Sequence, residues 1–339
     1  MQTSMRAWVV ETPRPIEASP LALIEREIPT PGPGQVRLRV MACGVCRTDL
    51  HLAEGDLTPR HSRVVPGHEI VGVVDEVGPG TSIFRPGERV GAAWLARTCA
   101  QCRFCLSGRE NLCLAPSFTG WDVDGGYAPL VLANEDFLYR LPAGIGDVEA
   151  APLLCAGIIG YRALRRTELP RGGRLGIYGF GGSAHLTAQI ALAEGARVHV
   201  MTRSPSSRAL ALELGVTSVR DTNHPPPEPL DGAILFAPVG DIVPTALAAL
   251  DRGGILAVAG IYLSDIPSLN YQRHLFQERT LRSVTANTRR DGQEFFDLAA
   301  KFAIKSTTHA YHFDDAQRAL GDLAHERFSG AAVLVGFGE

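Results

Sequence analysis

The sequence predicts an α/β protein of two domains: a β-rich region, then a doubly wound parallel sheet with helices on both faces. Three observations lead there. The chain changes character near residue 155. Strand-like and helix-like runs alternate after that point, and a glycine-rich turn opens the alternating part. With 339 residues and 45% hydrophobic content, the chain can bury a core in each domain. Before residue 155, short β-like runs stand between Pro/Gly stops: Gln35–Val40, Glu69–Val77 and Glu88–Ala92. After it, Arg174–Tyr178 reads as a strand, His185–Ala193 as a helix, Ala196–Met201 as a strand and Ser207–Leu214 as a helix. Ala233–Phe236, Gly254–Val258 and Leu281–Val284 continue the strand series, and helix Gln293–Ala303 and strand Ala331–Val335 close the chain. Such alternation implies parallel strands joined by crossover helices. The run His224–Pro229 reads as a stiff surface loop.

Composition narrows the function classes. A net charge of −3 argues against a nucleic-acid or anionic-membrane surface. No apolar run reaches the 18 residues of a membrane span, and no signal-peptide pattern follows the first residues. The expectation is a cytoplasmic protein.

Four of the seven cysteines, Cys99, Cys102, Cys105 and Cys113, stand within one short run. Four thiolates at this spacing can close a tetrahedral shell around Zn²⁺, which has no geometric preference of its own and accepts sulfur readily. A closed shell leaves no open position, so the zinc is expected to be structural. An iron–sulfur cluster is the rival reading, although the last gap is longer than the ferredoxin run and Leu114, not Pro, follows Cys113. Disulfides are the third reading, without any sign of an oxidising compartment.

The turn Gly179-Phe180-Gly181-Gly182-Ser183-Ala184 follows a strand, opens a helix and matches G-x-G-x-x-G/A. In that context glycines let backbone N–H groups approach a pyrophosphate and the helix N-terminus adds its dipole, so dinucleotide binding is expected. Ala184 stands in place of the third glycine. At the end of the next strand an NAD enzyme places an acid for the ribose 2′-OH. Here Thr202-Arg203-Ser204 stand instead. A guanidinium beside two hydroxyls suits a 2′-phosphate, so NADP is favoured over NAD. His185 reads either as a helix-start residue or as a phosphate contact.

A third cluster lies nearer the N-terminus: Cys43-Gly-Val-Cys46-Arg47-Thr48-Asp49-Leu50-His51, then Gly67-His68-Glu69. Cys and His can converge on one zinc, and Cys155 is available as a third ligand. Two Cys, one His and one open position match the ligand set known for alcohol dehydrogenase zinc, which is a match of pattern and not a derivation. Cys43 and Cys46 also form a C-x-x-C, which could be a redox pair, but no thioredoxin-like pattern surrounds them.

Together these motifs resemble the zinc-dependent alcohol dehydrogenases of the medium-chain dehydrogenase/reductase superfamily. The runs 44–51 and 66–72, the four-Cys lobe, Leu154–Gly157 and the turn 179–184 occur in the family's order and cover nearly the whole chain. The resemblance implies a GroES-like β-rich catalytic domain over 1–155 and 290–339, with a structural zinc lobe at 97–115, and a Rossmann domain over 156–289. It implies reversible hydride transfer between a primary or secondary alcohol and a nicotinamide cofactor, with two Zn²⁺ per chain. The partners implied are a small alcohol or aldehyde and further copies of the chain in a dimer or tetramer.

Roles carry over by position. Cys46, His68 and Cys155 resemble the catalytic zinc ligands. Thr48 resembles the hydroxyl that takes the alcohol proton, and His51 the group that passes it to solvent. Asp49 resembles the carboxylate that orients His68 through its other ring nitrogen, and Glu69 lies behind the metal. Arg47 resembles a pyrophosphate contact. Trp94 falls at an aromatic wall of the substrate pocket, and Trp121 is a second pocket candidate. Ile158-Ile159-Gly160 stand where relatives often carry a hydroxyl residue. Polyol dehydrogenases on this fold usually supply Glu as third ligand, whereas Cys155 points to simple alcohols. A non-enzymatic cofactor sensor needs no relay such as Thr48 and His51, and the zinc-free quinone reductases lack these ligands.

Overall fold

The computed structural model describes residues 3–338 and resolves into two compact units. Among the described residues, one contains 3–155, 286–297 and 305–338; the other contains 156–285 and 298–304.

In the first unit, a seven-stranded sheet runs in the order Thr308–His312, Ala331–Val335, Gln35–Val45, Glu69–Val77, Arg89–Ala92, Leu138–Arg140, with Leu130–Asn134 also paired to Gln35–Val45. All its pairs are antiparallel except the first. Strand Gln35–Val45 shows why the elements form here. Val36, Leu38 and Val40 alternate inward with the period of the pleat. The alternation then breaks at a register irregularity between Val40 and Ala42, and Ala42–Val45 are buried without interruption. The strand is therefore longer than its period-2 signal, and its buried second half leads into Cys46.

In the second unit, six parallel strands take the order Ser218–Arg220, Arg197–Met201, Arg174–Tyr178, Leu230–Leu235, Leu250–Val258, Thr280–Ser283. Numbered along the chain this is 3-2-1-4-5-6, the Rossmann order, with its direction change at Arg174–Tyr178. Val198, His199, Val200 and Met201 are all fully buried, as a strand covered on both faces requires. The turn after Arg174–Tyr178 depends on Gly179, whose φ of +83° and contact with Ala237 N, 2.8 Å from where a Cβ would stand, exclude other residues. Helix Gly182–Ala193 follows at once. Among the described residues, no helix is long and apolar enough to cross a membrane.

Candidate functional site

The four-Cys lobe has almost no core. Among residues 97–115 only Glu110, Asn111 and Cys113 are buried, and Leu106 and Leu114 are more than 70% exposed. What holds the lobe inward is sulfur. Cys102 and Cys105 Sγ lie 3.5 Å apart, Cys99 and Cys113 3.5 Å, Cys99 and Cys105 3.9 Å. Zn–S bonds of about 2.3 Å at tetrahedral angles put sulfurs about 3.8 Å apart, so the set fits zinc. Backbone amides donate to the sulfurs, from Cys102 to Cys99 (3.4 Å), from Cys99 to Cys113 (3.3 Å) and from Ala115 to Cys113 (3.3 Å). Such donors favour thiolates: the backbone amides of Cys105 and Leu114 bring the Cys102 thiol down to about 6, while desolvation and its sulfur neighbours push Cys105 up to about 11. One ion pair ties the lobe to the rest of its unit: buried Glu110 accepts from the Arg289 N–H at 2.9 Å and from its guanidinium at 3.3 Å. No disulfide is present; all seven cysteines are free.

The second cluster is drawn from three segments, with His68 and Glu69 buried and Cys46 and Cys155 half-buried. Sγ of Cys46, a ring nitrogen of His68, a carboxylate oxygen of Glu69 and Sγ of Cys155 all lie within 4.8 Å of one another. Cys46 caps helix Arg47–Glu54, His68 and Glu69 stand at the start of strand Glu69–Val77, and Cys155 ends the short turn Pro152–Leu154. Asp49 organises the first two. Its Oδ2 accepts from Cys46 N–H at 2.9 Å, closing the helix cap, and its Oδ1 accepts from Gly67 N–H at 3.1 Å and faces His68 Nδ1 at 3.2 Å. Tyr127 Oη donates weakly to Oδ2 at 3.4 Å. Nδ1 of His68 thus carries the proton and Nε2 is left for a metal.

Burial raises the charge problem that a cation solves. Burial lowers the basicity of His68, but the Asp49 carboxylate overrides this and holds it well above the ordinary histidine value. The Cys46 thiol is held well below its usual value, first by the hydrogen bond from Cys155 and then by His68. Burial, then the negative charge of Cys46, pushes Glu69 up, and its Oε2 is buried without a hydrogen-bond partner. Gly44, opposite on the neighbouring strand, leaves Glu69 its room: a Cβ there would stand 1.8 Å from Oε2. Two thiols, two carboxyls and one imidazole brought this close fit a zinc ion. The C-x-x-C is split: Cys43 is buried in the core and belongs to no ligand group.

Thr48 and His51 lie one turn apart on helix Arg47–Glu54, and Thr48 Oγ1 is 3.8 Å from Cys46 Sγ. His51 Nδ1 is 2.9 Å from Asp56. Arg47 is exposed and paired with Glu326 at 3.0 Å. Trp94 meets His68 edge-on at 5.0 Å between ring centroids, then stacks with Phe118 (4.8 Å) and Trp121 (6.0 Å, 9° between planes). Trp121 Nε1 donates to Thr58 O at 2.8 Å, and Arg60 lies over its ring at 4.5 Å. Phe118, Tyr127 and Asp56 carry no local sequence signal toward this cluster. They are recognisable only once the chain is folded.

In the second unit, a Cβ added at Gly181 or Gly182 would meet nothing within 4 Å, so the turn leaves space above its backbone. Ala184 is fully buried. His185, 5% exposed, keeps Nδ1 3.4 Å from Gly181 O and has no partner for Nε2. An open glycine turn beside an orphaned donor or acceptor fits a phosphate ligand. Thr202 is buried and Arg203 exposed, while Ser204 caps helix Pro205–Glu213 by accepting from Ser207 N–H. Arg208, not anticipated from the sequence, donates to Thr202 O at 2.9 Å and to Asp221 at 2.9 Å, and so holds this junction in place.

Comparison with known proteins gives the family. The model of the alcohol dehydrogenase GroES-like domain matches residues 32–143, and that of the zinc-binding dehydrogenase matches residues 182–301. A Mycobacterium tuberculosis (strain CDC 1551 / Oshkosh) protein named "Probable alcohol dehydrogenase AdhA" is 58% identical over 98% of this chain and 97% of its own. Among solved structures, a cinnamyl alcohol dehydrogenase of Sorghum bicolor (SbCAD4) aligns with a TM-score of 0.88 at 27% identity, covering 99% of this chain and 98% of the other. A cobalt- and zinc-bound thermostable alcohol dehydrogenase of Pyrobaculum aerophilum aligns with a TM-score of 0.87 at 26% identity, covering 98% and 99%. With both family models in register and a 58% identical relative along nearly its whole length, this chain belongs to the zinc-binding alcohol dehydrogenases of the medium-chain dehydrogenase/reductase superfamily.

Proposed function

We propose that the chain oxidises alcohols and reduces aldehydes or ketones with a nicotinamide dinucleotide. In this reading Cys46, His68 and Cys155 hold a catalytic zinc, and Cys99, Cys102, Cys105 and Cys113 a structural one. The observation that carries the reading is the convergence of Cys46, His68 and Cys155 from three segments, with Asp49 orienting His68. When bound, the two groups supply a Lewis acid that acidifies the substrate hydroxyl and a hydride carrier. The chain's own residues do the rest. Thr48, beside Cys46, accepts the proton that the hydroxyl gives up, and His51 one turn on passes it to solvent. Glu69 stands beside these ligands as a buried carboxyl whose pKa is pushed up by burial and by the charge of Cys46. The ring slab of Trp94, Phe118 and Trp121, beginning edge-on to His68, offers a flat apolar wall to aromatic or medium-chain alcohols. Gly179, Gly181, Gly182 and Ala184 would hold the pyrophosphate.

Arg203, with Thr202 and Ser204, favours NADP. A 2′-phosphate brings nearly two negative charges, each charge-assisted hydrogen bond to Arg203 contributes about 1.5–3 kcal/mol, and no carboxylate at 202 repels it. The test is kcat/KM for a panel of alcohols and aldehydes with NAD and NADP, on zinc-replete protein. The expected result is turnover of apolar and aromatic alcohols with NADP preferred by about tenfold or more, the factor equal to 1.4 kcal/mol. Absence of turnover with every alcohol and either cofactor overturns the reading, and a preference for polyols redirects it to the polyol enzymes.

A further inference from the structure

The chain neighbours of the aromatic slab line a second, apolar space. Ala93 and Leu95 flank Trp94, and Thr119 follows Phe118. These three residues line a cavity of about 210 Å³, and neither Trp94 nor Phe118 is part of its lining. Val65, Ile70, Ala128 and Val131 also line it, each no more than 3% exposed. Cys46, His68 and Cys155 do not, so the cavity is separate from the metal cluster as well as from the slab.

What such a cavity can hold depends on its polar groups. A buried water needs about two to four polar partners, and an apolar cavity without them stays dry. Among the described residues, the polar side chains on the lining are Gln35, Thr119, Asp124 and Asn134, and each is engaged by the protein itself. Gln35 Oε1 accepts from Gly32 N–H at 3.1 Å, and Thr119 Oγ1 donates to Ala93 O at 2.8 Å. Asp124 accepts from Val65 N–H at 2.9 Å and pairs with Arg26 at 2.9 Å. Asn134 Nδ2 donates to Ala96 O at 2.9 Å. Among the described residues, no buried side-chain nitrogen or oxygen that lacks a partner belongs to the lining. The space therefore offers dispersion contacts and few hydrogen bonds. An engineered cavity of about 150 Å³ lined by Leu, Ile and Phe stays dry and takes benzene or xenon. We propose that this cavity is a binding site for one small apolar molecule, of the size and chemistry of a monocyclic aromatic hydrocarbon. Hydroxylated and charged molecules are disfavoured there, because the lining does not replace the hydrogen bonds they leave in water. The site thus stands apart from the alcohol chemistry at Cys46, His68 and Cys155.

The test uses zinc-replete protein and two probes. Crystals held under xenon pressure are expected to show xenon inside the cavity. Benzene is expected to raise the denaturation midpoint: at about nine times its Kd, a ligand of the folded state multiplies the folded-to-unfolded ratio by about tenfold. Ala128→Leu, which fills the space, is expected to abolish both the xenon peak and the benzene shift. Ordered waters in the cavity of the wild type, or no xenon there, overturn the proposal. A benzene shift that is unchanged in Ala128→Leu overturns it too, because the benzene then binds elsewhere. Should Ala128→Leu fail to fold, the xenon position in the wild-type crystal decides alone.

Discussion

The two cysteine clusters differ in what surrounds them. Cys99, Cys102, Cys105 and Cys113 come from one short run, in a lobe whose only buried residues are Glu110, Asn111 and Cys113. Cys46, His68 and Cys155 come from three segments and meet at a site built by a strand start, a helix cap and the buried residues Asp49 and Tyr127. In the lobe the sulfurs do the work of a core, so a metal there is part of folding. In the buried cluster the fold supplies the geometry, and a metal there is free to act on a substrate.

The sharpest way to break this contrast is to damage each cluster alone. Cys46→Ser is expected to abolish turnover while the chain stays folded, since Asp49 still accepts from the backbone N–H at 46 and from Gly67. Near-normal turnover would move the reacting metal elsewhere. Cys105→Ser is expected to act the other way round, lowering the unfolding free energy by several kcal/mol and with it the denaturation midpoint, because structural zinc contributes about 10–16 kcal/mol of apparent binding energy in small metal-folded domains. An unchanged midpoint would show that the Glu110–Arg289 tether and the backbone hold the lobe without metal.

The same contrast explains what was readable in advance. The lobe, the glycine turn and the junction Thr202–Ser204 are contiguous, so spacing alone displays their chemistry. The alternation of strands and helices after residue 155 displays five of the six strands of the parallel sheet for the same reason, while the three-residue edge strand Ser218–Arg220 is too short to show a pattern. The dispersed cluster could be joined only through family resemblance, because no local pattern connects Cys46, His68 and Cys155. What stayed unread depends on three-dimensional return of the chain. Phe118 joins the aromatic slab, Tyr127 reaches Asp49, and Arg208 folds back on Thr202. Strand Gln35–Val45 ran past its visible end because the irregularity at Met41 breaks the period on which the reading relied.

The contiguous cofactor site gives a third, smaller test. Arg203→Ala is expected to weaken NADP alone and erase its advantage of about tenfold. Thr202→Asp is expected to invert the preference by adding repulsion to the 2′-phosphate and an acceptor for the ribose. The measurement is kcat/KM for both cofactors with one good alcohol. A wild-type preference for NAD would show that Arg203 turns to solvent and that loss of the acid has made the site permissive only.

The smallest expected effect lies just before the glycine turn. Tyr178 is fully buried and its hydroxyl has no hydrogen-bond partner, so burial pushes its pKa up. Tyr178→Phe removes an unsatisfied polar atom and is expected to leave stability unchanged or raise it by about 1 kcal/mol, read from denaturant unfolding. A loss of more than that would reveal a partner for Oη.

The central claim is that one chain holds two metal ions for two different reasons, and elemental analysis tests it most directly. Protein purified without chelator is expected to carry two zinc ions in the wild type and one in each of Cys46→Ser and Cys105→Ser, with turnover lost in the first and stability in the second. One zinc or fewer in the wild type, or iron in place of zinc, would contradict the account.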